Sequence, residues 1–148
     1  MYVKLKVPRI KLVNKHRDFE IVGNMKERRI IITIGGLIVN ATLNHTLTAG
    51  LVWDALPITG SGTTWGDEIY FRTDVVIGEE DGQEIVEMGA LAYWPPGQAI
   101  CLFYGPTPMS DGEEIRPASA VNVFGKIEGD PTVLKVAKSG TAVSLSIT

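Results

Sequence analysis

The sequence predicts a mostly-β protein, a closed antiparallel β-barrel of about eight strands with one or two capping helices. Three observations carry this reading. Short β-branched and aromatic runs recur along the chain with two-residue alternation. Gly, Pro and Asp clusters punctuate them at short intervals. Only two segments carry helix start and stop signals.

The elements follow in order. RIIITIGGLIVNATL, from Arg29, is two strand-like runs joined by Gly35-Gly36, a hairpin signal because glycine accepts positive φ without steric cost. TAGLVWDAL predicts a helix with Thr46 or Thr48 as cap, Leu47, Leu51, Ala55 and Leu56 on its apolar stripe, and Pro57 as its stop. TGSGTT reads as a flexible loop. WGDEIYFR alternates, with Ile69 and Phe71 on one face and Glu68, Tyr70 and Arg72 on the other. DVVI, QEIVEM, ALAYW, QAICLFY and AVNVFGKI read as further strands, and the polar loop PTPMSDGEEIRPAS precedes the last of these. Asp130-Pro131 opens a second helix that Gly140 ends, and TAVSLSI is the final strand.

The 148 residues suit one domain with a genuine core. Charge divides the chain. Residues 1–29 hold nine Lys or Arg against three Asp or Glu, and the remainder holds five against fourteen, for a net of −3. Residues 1–28 are therefore expected as a basic extension, a strand or docking arm, and 29–148 as the barrel domain. An acidic body repels phosphate, which argues against nucleic acid as the partner. The arm instead suits its own body, an acidic partner or a second copy in a homo-oligomer. No apolar run reaches membrane-span length, and the N-terminus lacks the apolar block of a secretory signal. Cys101 is the single cysteine, so no intramolecular disulfide forms and a cytoplasmic location is expected. Its strand context marks it as a buried small hydrophobe facing inward.

Catalytic patterns are sparse. His45 and Cys101 lack spaced partners, so no metal site is expected. Nothing places Ser61, Ser110 or Ser119 beside His45 for nucleophilic catalysis, and no phosphate-binding glycine motif occurs. The strongest site candidate is WGDEIYFR, where Glu68, Tyr70 and Arg72 put a carboxylate, a phenol and a guanidinium on one strand face beside Trp65. The alternative is a solvated face with a Glu–Arg pair. Tyr93, Trp94 and Tyr104 flank the Pro95-Pro96-Gly97 bend and suit either a wet pocket or a barrel-end plug. Arg116 and Ser110 can anchor an anionic group, or Arg116 can answer Glu113 or Glu114 within its loop.

From Arg29 onward, TAGLVWDALPI, WGDEIYF, EIVEMGALAYWPPG, CLFYGPTP and PASAVNVFGKI resemble a small family of prokaryotic cyclophilin-like proteins of unknown function. The resemblance implies the cyclophilin barrel. Val123-Phe124-Gly125-Lys126-Ile127 is also similar to a late segment of the peptidyl-prolyl isomerases, and Arg72 falls where their carbonyl-holding arginine stands. The segment that follows that arginine in the enzymes is replaced here by TDVVIGEED, and their proline-pocket Trp and His have no counterparts. A shared fold carries no activity without its site. The expected function is binding of a small molecule or short peptide on the outer face of the barrel, without a cofactor. The alternatives are weak prolyl isomerisation through Arg72 and an interaction module built on the basic arm.

Overall fold

The computed structural model describes residues 27–148; residues 1–26, and the roles expected of the basic arm, lie outside the described residues. Nine strands form one antiparallel sheet: β1 (Arg28–Ile34), β2 (Leu37–Leu43), β3 (Ile58–Ser61), β4 (Thr63–Thr64), β5 (Glu68–Arg72), β6 (Ala90–Trp94), β7 (Ala99–Phe103), β8 (Asn122–Ile127) and β9 (Ala142–Ile147). Their order is β3-β9-β1-β2-β8-β6-β7-β5-β4. Strands β3 and β4 are consecutive and separated only by Gly62, so the two ends of the sheet are two halves of one bent segment. The sheet thereby nearly closes into the expected barrel.

That closing segment was expected as a flexible loop, and the correction has a steric cause. A Cβ on Gly60 would stand 2.7 Å from Phe71 Cδ2, and one on Gly62 would stand 2.5 Å from Ile69 Cδ1. The glycines are there so that the segment can run over two core side chains. The hairpin at Gly35-Gly36 is as expected, with Ile34 opposite Leu37 and Gly35 at φ +59°.

Alternation sorts the residues by face. Ile30, Ile32 and Ile34 of β1, Ile69 and Phe71 of β5, Leu91 and Tyr93 of β6, Ile100 and Leu102 of β7, and Val143 and Leu145 of β9 share the main core. Ala90, Ala92, Cys101 and Phe103 project from the other face of β6 and β7 into a second, smaller cluster with Val86, Ile115 and Val121. Cys101 is buried as expected, but it belongs to this outer cluster and not to the barrel interior.

Two loops cover the outer face. DVVI and QEIVEM, expected as strands, lie in the first of them; DVVI forms no ladder among the described residues, and QEIVEM pairs through single bridges, Gln83 with Val121 and Val86 with Ile115. Their apolar residues divide between exposed positions, such as Val76 and Ile85, and single anchors, such as Val75 and Val86. Among the described residues no continuous partner strand runs beside them.

Helix α1 (Leu47–Ala55) starts at Thr46, whose side chain accepts from the Ala49 N–H. It buries Thr48, Ala49 and Val52, while Leu47 and Leu51 are 73% and 41% exposed. The expected leucine stripe is thus on the wrong side, because buried polar bonds set the helix orientation. Glu80 accepts from the Leu47 and Thr48 N–H groups and the Thr48 hydroxyl at 3.0, 2.9 and 2.7 Å. Asn122 donates to Thr48 Oγ1 and the Gly78 carbonyl and accepts from the Glu80 N–H. The second expected helix is a 3-10 turn (Pro131–Val136), capped by Asp130 as anticipated and anchored by Leu134 alone. With Val133 and Val136 exposed, too little apolar surface is buried to extend it to Gly140.

Candidate functional site: an aromatic pocket over a buried carboxyl

The pocket is built from a turn, two strands and a loop. Trp65-Gly66-Asp67-Glu68 forms the tight β4–β5 connection, closed by the Trp65 N–H donating to the Glu68 carbonyl at 2.8 Å. Gly66 takes φ +61°, and a Cβ there would stand 2.8 Å from Pro108 Cδ and 2.9 Å from the Thr107 α-carbon, leaving no room for a side chain. The Asp67 N–H donates to Pro106 at 2.9 Å, and the Tyr104 N–H donates to Asp67 at 2.9 Å. These bonds lock the Gly105-Pro106-Thr107-Pro108 exit onto the turn and fix Trp65 at the head of β5.

Across the sheet, Tyr70 pairs with Cys101 and Cys101 with Ala92, while Glu68 pairs with Phe103. The small Cys101 and Ala92 leave a hollow on the outer face between larger neighbours. Trp65, Glu68, Tyr70, Trp94, Cys101, Pro117, Ala118 and Val121 enclose it as a pocket of about 220 Å³. The Trp94 indole N–H donates to Ser119 Oγ at 2.7 Å, which ties the Pro117–Ser119 wall to the sheet. Trp94 also lies over Gly97, which has no side chain to displace it.

Glu68 is the chemical centre. It is only 5% exposed, and among the described residues no side chain closes a hydrogen bond on its carboxyl: the neighbouring Cys101 thiol donates to the Ala99 carbonyl at 4.0 Å. Burial raises its pKa from the ordinary carboxylate value to about 7, and the neighbouring Cys101 thiol offsets this only in part. Cys101 is pushed the other way from reactivity. Burial, and then the neighbouring Glu68 charge, raise its pKa well above the usual thiol value, so it stays a neutral S–H donor. Burial also raises Tyr104, with smaller contributions from Asp67 and Glu68. A carboxyl titrating near neutrality in an aromatic, half-dry pocket can exchange a proton or hold a positive charge.

Among the sequence candidates, Trp65, Glu68, Tyr70 and Trp94 meet in this pocket. The solvated Glu–Arg pair does not form. Arg72 is exposed at the other end of β5, donating to the Gly97 carbonyl at 3.3 Å and lining a separate cleft of about 620 Å³ with Asp54, Asp74 and Gln98. Tyr93 turns into the barrel and donates to the Val75 carbonyl at 2.7 Å, and Tyr104 is buried in the same core. Ser110 and Arg116 organise their own loop. Ser110 Oγ accepts from the Thr107 and Arg116 N–H groups, and Arg116 pairs with Glu114 at 2.7 Å. The Arg116–Glu114 pairing is the bland alternative the sequence offered.

Cys101, Pro117, Ala118 and Val121 were missed as site residues. All five residues of β7 are buried, so burial there carries no period to say which face each takes. Pro117, Ala118 and Val121 had one signal, the Pro-Ala-Ser-Ala-Val segment among the family-like stretches.

The comparisons with known proteins agree with this architecture. No curated protein matches the chain. The solution structure of a hypothetical protein from Archaeoglobus fulgidus is similar at 41% identity and a TM-score of 0.70, over 82% of this chain and 95% of that one. The family model described as cyclophilin-like matches residues 28–146, nearly the whole described barrel, and the chain belongs to the cyclophilin-like family.

Proposed function

We propose that this protein binds a small molecule, or one side chain of a short peptide, in the outer-face pocket at Trp65, Glu68, Tyr70 and Trp94. The observation that carries this reading is Glu68. A carboxyl 5% exposed that, among the described residues, has only a thiol beside it is a standing cost to the fold, and a ligand that answers it removes that cost. The aromatic walls supply apolar contact, and two tryptophans supply a signal. A reducing, cytoplasmic setting suits the free Cys101.

Titration with a metabolite and dipeptide panel, followed by tryptophan fluorescence, tests the reading. At least one compound is expected to shift emission in the parent and to lose affinity in Glu68→Gln and Trp94→Leu. A panel in which every compound acts equally on parent and variants sinks it.

Prolyl isomerisation through Arg72 has one supporting observation, an exposed guanidinium lining the 620 Å³ cleft. A coupled peptide assay decides it, because uncatalysed isomerisation takes tens of seconds. Equal background rates for the parent and Arg72→Ala remove it.

A further inference from the structure

The pocket has a chemical bias that narrows its ligand. Among the described residues, its lining holds one carboxyl, two indoles, a phenol, a thiol and three apolar residues, and no basic side chain. The carboxylate of Asp67 stands just outside, beside Lys135 Nζ at 3.8 Å. An anion would meet Glu68 with nothing to offset it. A primary ammonium carries three N–H donors, and a single carboxyl cannot accept all of them inside apolar walls. Methyl groups in place of those donors need no acceptors, and a positive charge is attracted by aromatic rings as well as by a carboxylate.

We infer that the pocket is a receptor for a methylated ammonium head group, held by the Glu68 carboxylate with Trp65, Tyr70 and Trp94 as its walls. The inference rests on the binding reading above and specifies its ligand class. Glu68 supplies the charge and the three aromatic side chains supply the contact surface. Cys101 lines the pocket beside them. The titratable groups facing Glu68 are Cys101 on β7, Tyr70 on β5, and Tyr104 beyond β7, with Asp67 adjacent in the turn. The loop wall of Pro117, Ala118 and Val121 adds none. Around neutrality, therefore, Glu68 is the group whose ionisation such a ligand senses.

The probes are choline, a capped trimethyl-lysine, and the neutral alcohol in which a tert-butyl group replaces the trimethylammonium of choline. Calorimetry and tryptophan fluorescence follow binding across pH. At about pH 8 choline or trimethyl-lysine is expected to bind at least roughly tenfold more tightly than the neutral alcohol, and whichever is tighter identifies a free or side-chain ligand. Affinity for the cation is expected to fall roughly tenfold towards about pH 6, as Glu68 keeps its proton, while the alcohol's affinity does not fall. Glu68→Gln is expected to narrow the gap between cation and alcohol to what the aromatic walls alone supply and to abolish the pH dependence. Should that variant misfold, the parent's pH profile and Trp94→Leu, expected to weaken the cation most, decide alone. Equal affinity of cation and alcohol in the parent overturns the ammonium class and leaves the pocket a binding site. No response to any probe overturns the ammonium class, and the wider panel then decides the site itself.

Discussion

Two buried polar side chains separate what the barrel needs from what it merely tolerates. Asn122, at the start of β8, is 1% exposed and has three hydrogen bonds, to Thr48 Oγ1, to the Gly78 carbonyl and from the Glu80 N–H. Glu68, on the outer face of β5, is 5% exposed and has a thiol. The first region is a closed account of donors and acceptors that seats α1 and the covering loop on the barrel. The second is open. A fold that fully satisfies one buried polar group has no structural reason to leave another, more costly one facing a hollow.

The largest expected effect comes from the closed region. Asn122→Ala leaves the Gly78 carbonyl and Glu80 N–H without their partner and loosens the α1 cap, so a loss of about 3 kcal/mol is expected in urea denaturation. The variant is expected to keep its ligand response at temperatures where it is folded. A loss under about 0.5 kcal/mol would erase the contrast between the two regions.

The open region behaves oppositely. Glu68 is protonated in the fold up to about pH 7 but titrates near 4.5 when unfolded. Below the unfolded value both states hold the proton, and the group is neutral to stability. Between the two values only the folded state holds it, so stability falls as pH rises. Above about pH 7 the full penalty applies, on the order of 2–3 kcal/mol after allowance for residual solvent. Glu68→Gln is expected to be more stable than the parent at about pH 8 and nearly equal to it at about pH 4. A variant less stable than the parent at the higher pH would show that Glu68 serves the fold as Asn122 does.

The sequence exposes these regions unequally, and particular residues show why. The β5 alternation was legible because Ile69 and Phe71 are apolar and face the barrel core while the polar Glu68, Tyr70 and Arg72 take the outer face, a period of two within five residues. Trp65, Glu68 and Tyr70 came with it. The α1 orientation was not legible, because Thr48 is buried by Glu80 and Asn122, residues 32 and 74 positions away. Tyr93 and Trp94 are neighbours in sequence, yet one fills the barrel and the other the pocket, since successive strand residues take opposite faces. TGSGTT looked like a loop because its glycines are explained only by Ile69 and Phe71 beneath them. Long-range packing decided each point that local pattern missed.

The turn that holds Trp65 gives a smaller effect. Gly66→Ala places a Cβ 2.9 Å from the Thr107 α-carbon at a positive φ, where neither backbone can yield cheaply. About 1–2 kcal/mol of stability is expected to be lost, with a change in tryptophan emission as Trp65 moves. Unchanged emission together with unchanged stability would detach Trp65 from the pocket geometry.

The smallest effect is the sharpest probe of the open region. Cys101→Ala removes little volume from the outer cluster and is expected to cost about 1 kcal/mol. Among the described residues the Cys101 thiol is the one neighbour that lowers the Glu68 pKa, so its removal is expected to raise that pKa further above about 7. The sign follows from which form a neighbouring polar thiol favours: it favours the ionised carboxylate, and without it the carboxylate is poorer still. Carboxyl chemical shifts across pH would read the change directly. A Glu68 that instead titrated lower in Cys101→Ala would mean that water enters the enlarged hollow and solvates the carboxylate. The pocket would then be wet, and the case for a ligand replacing a missing partner would weaken at its root.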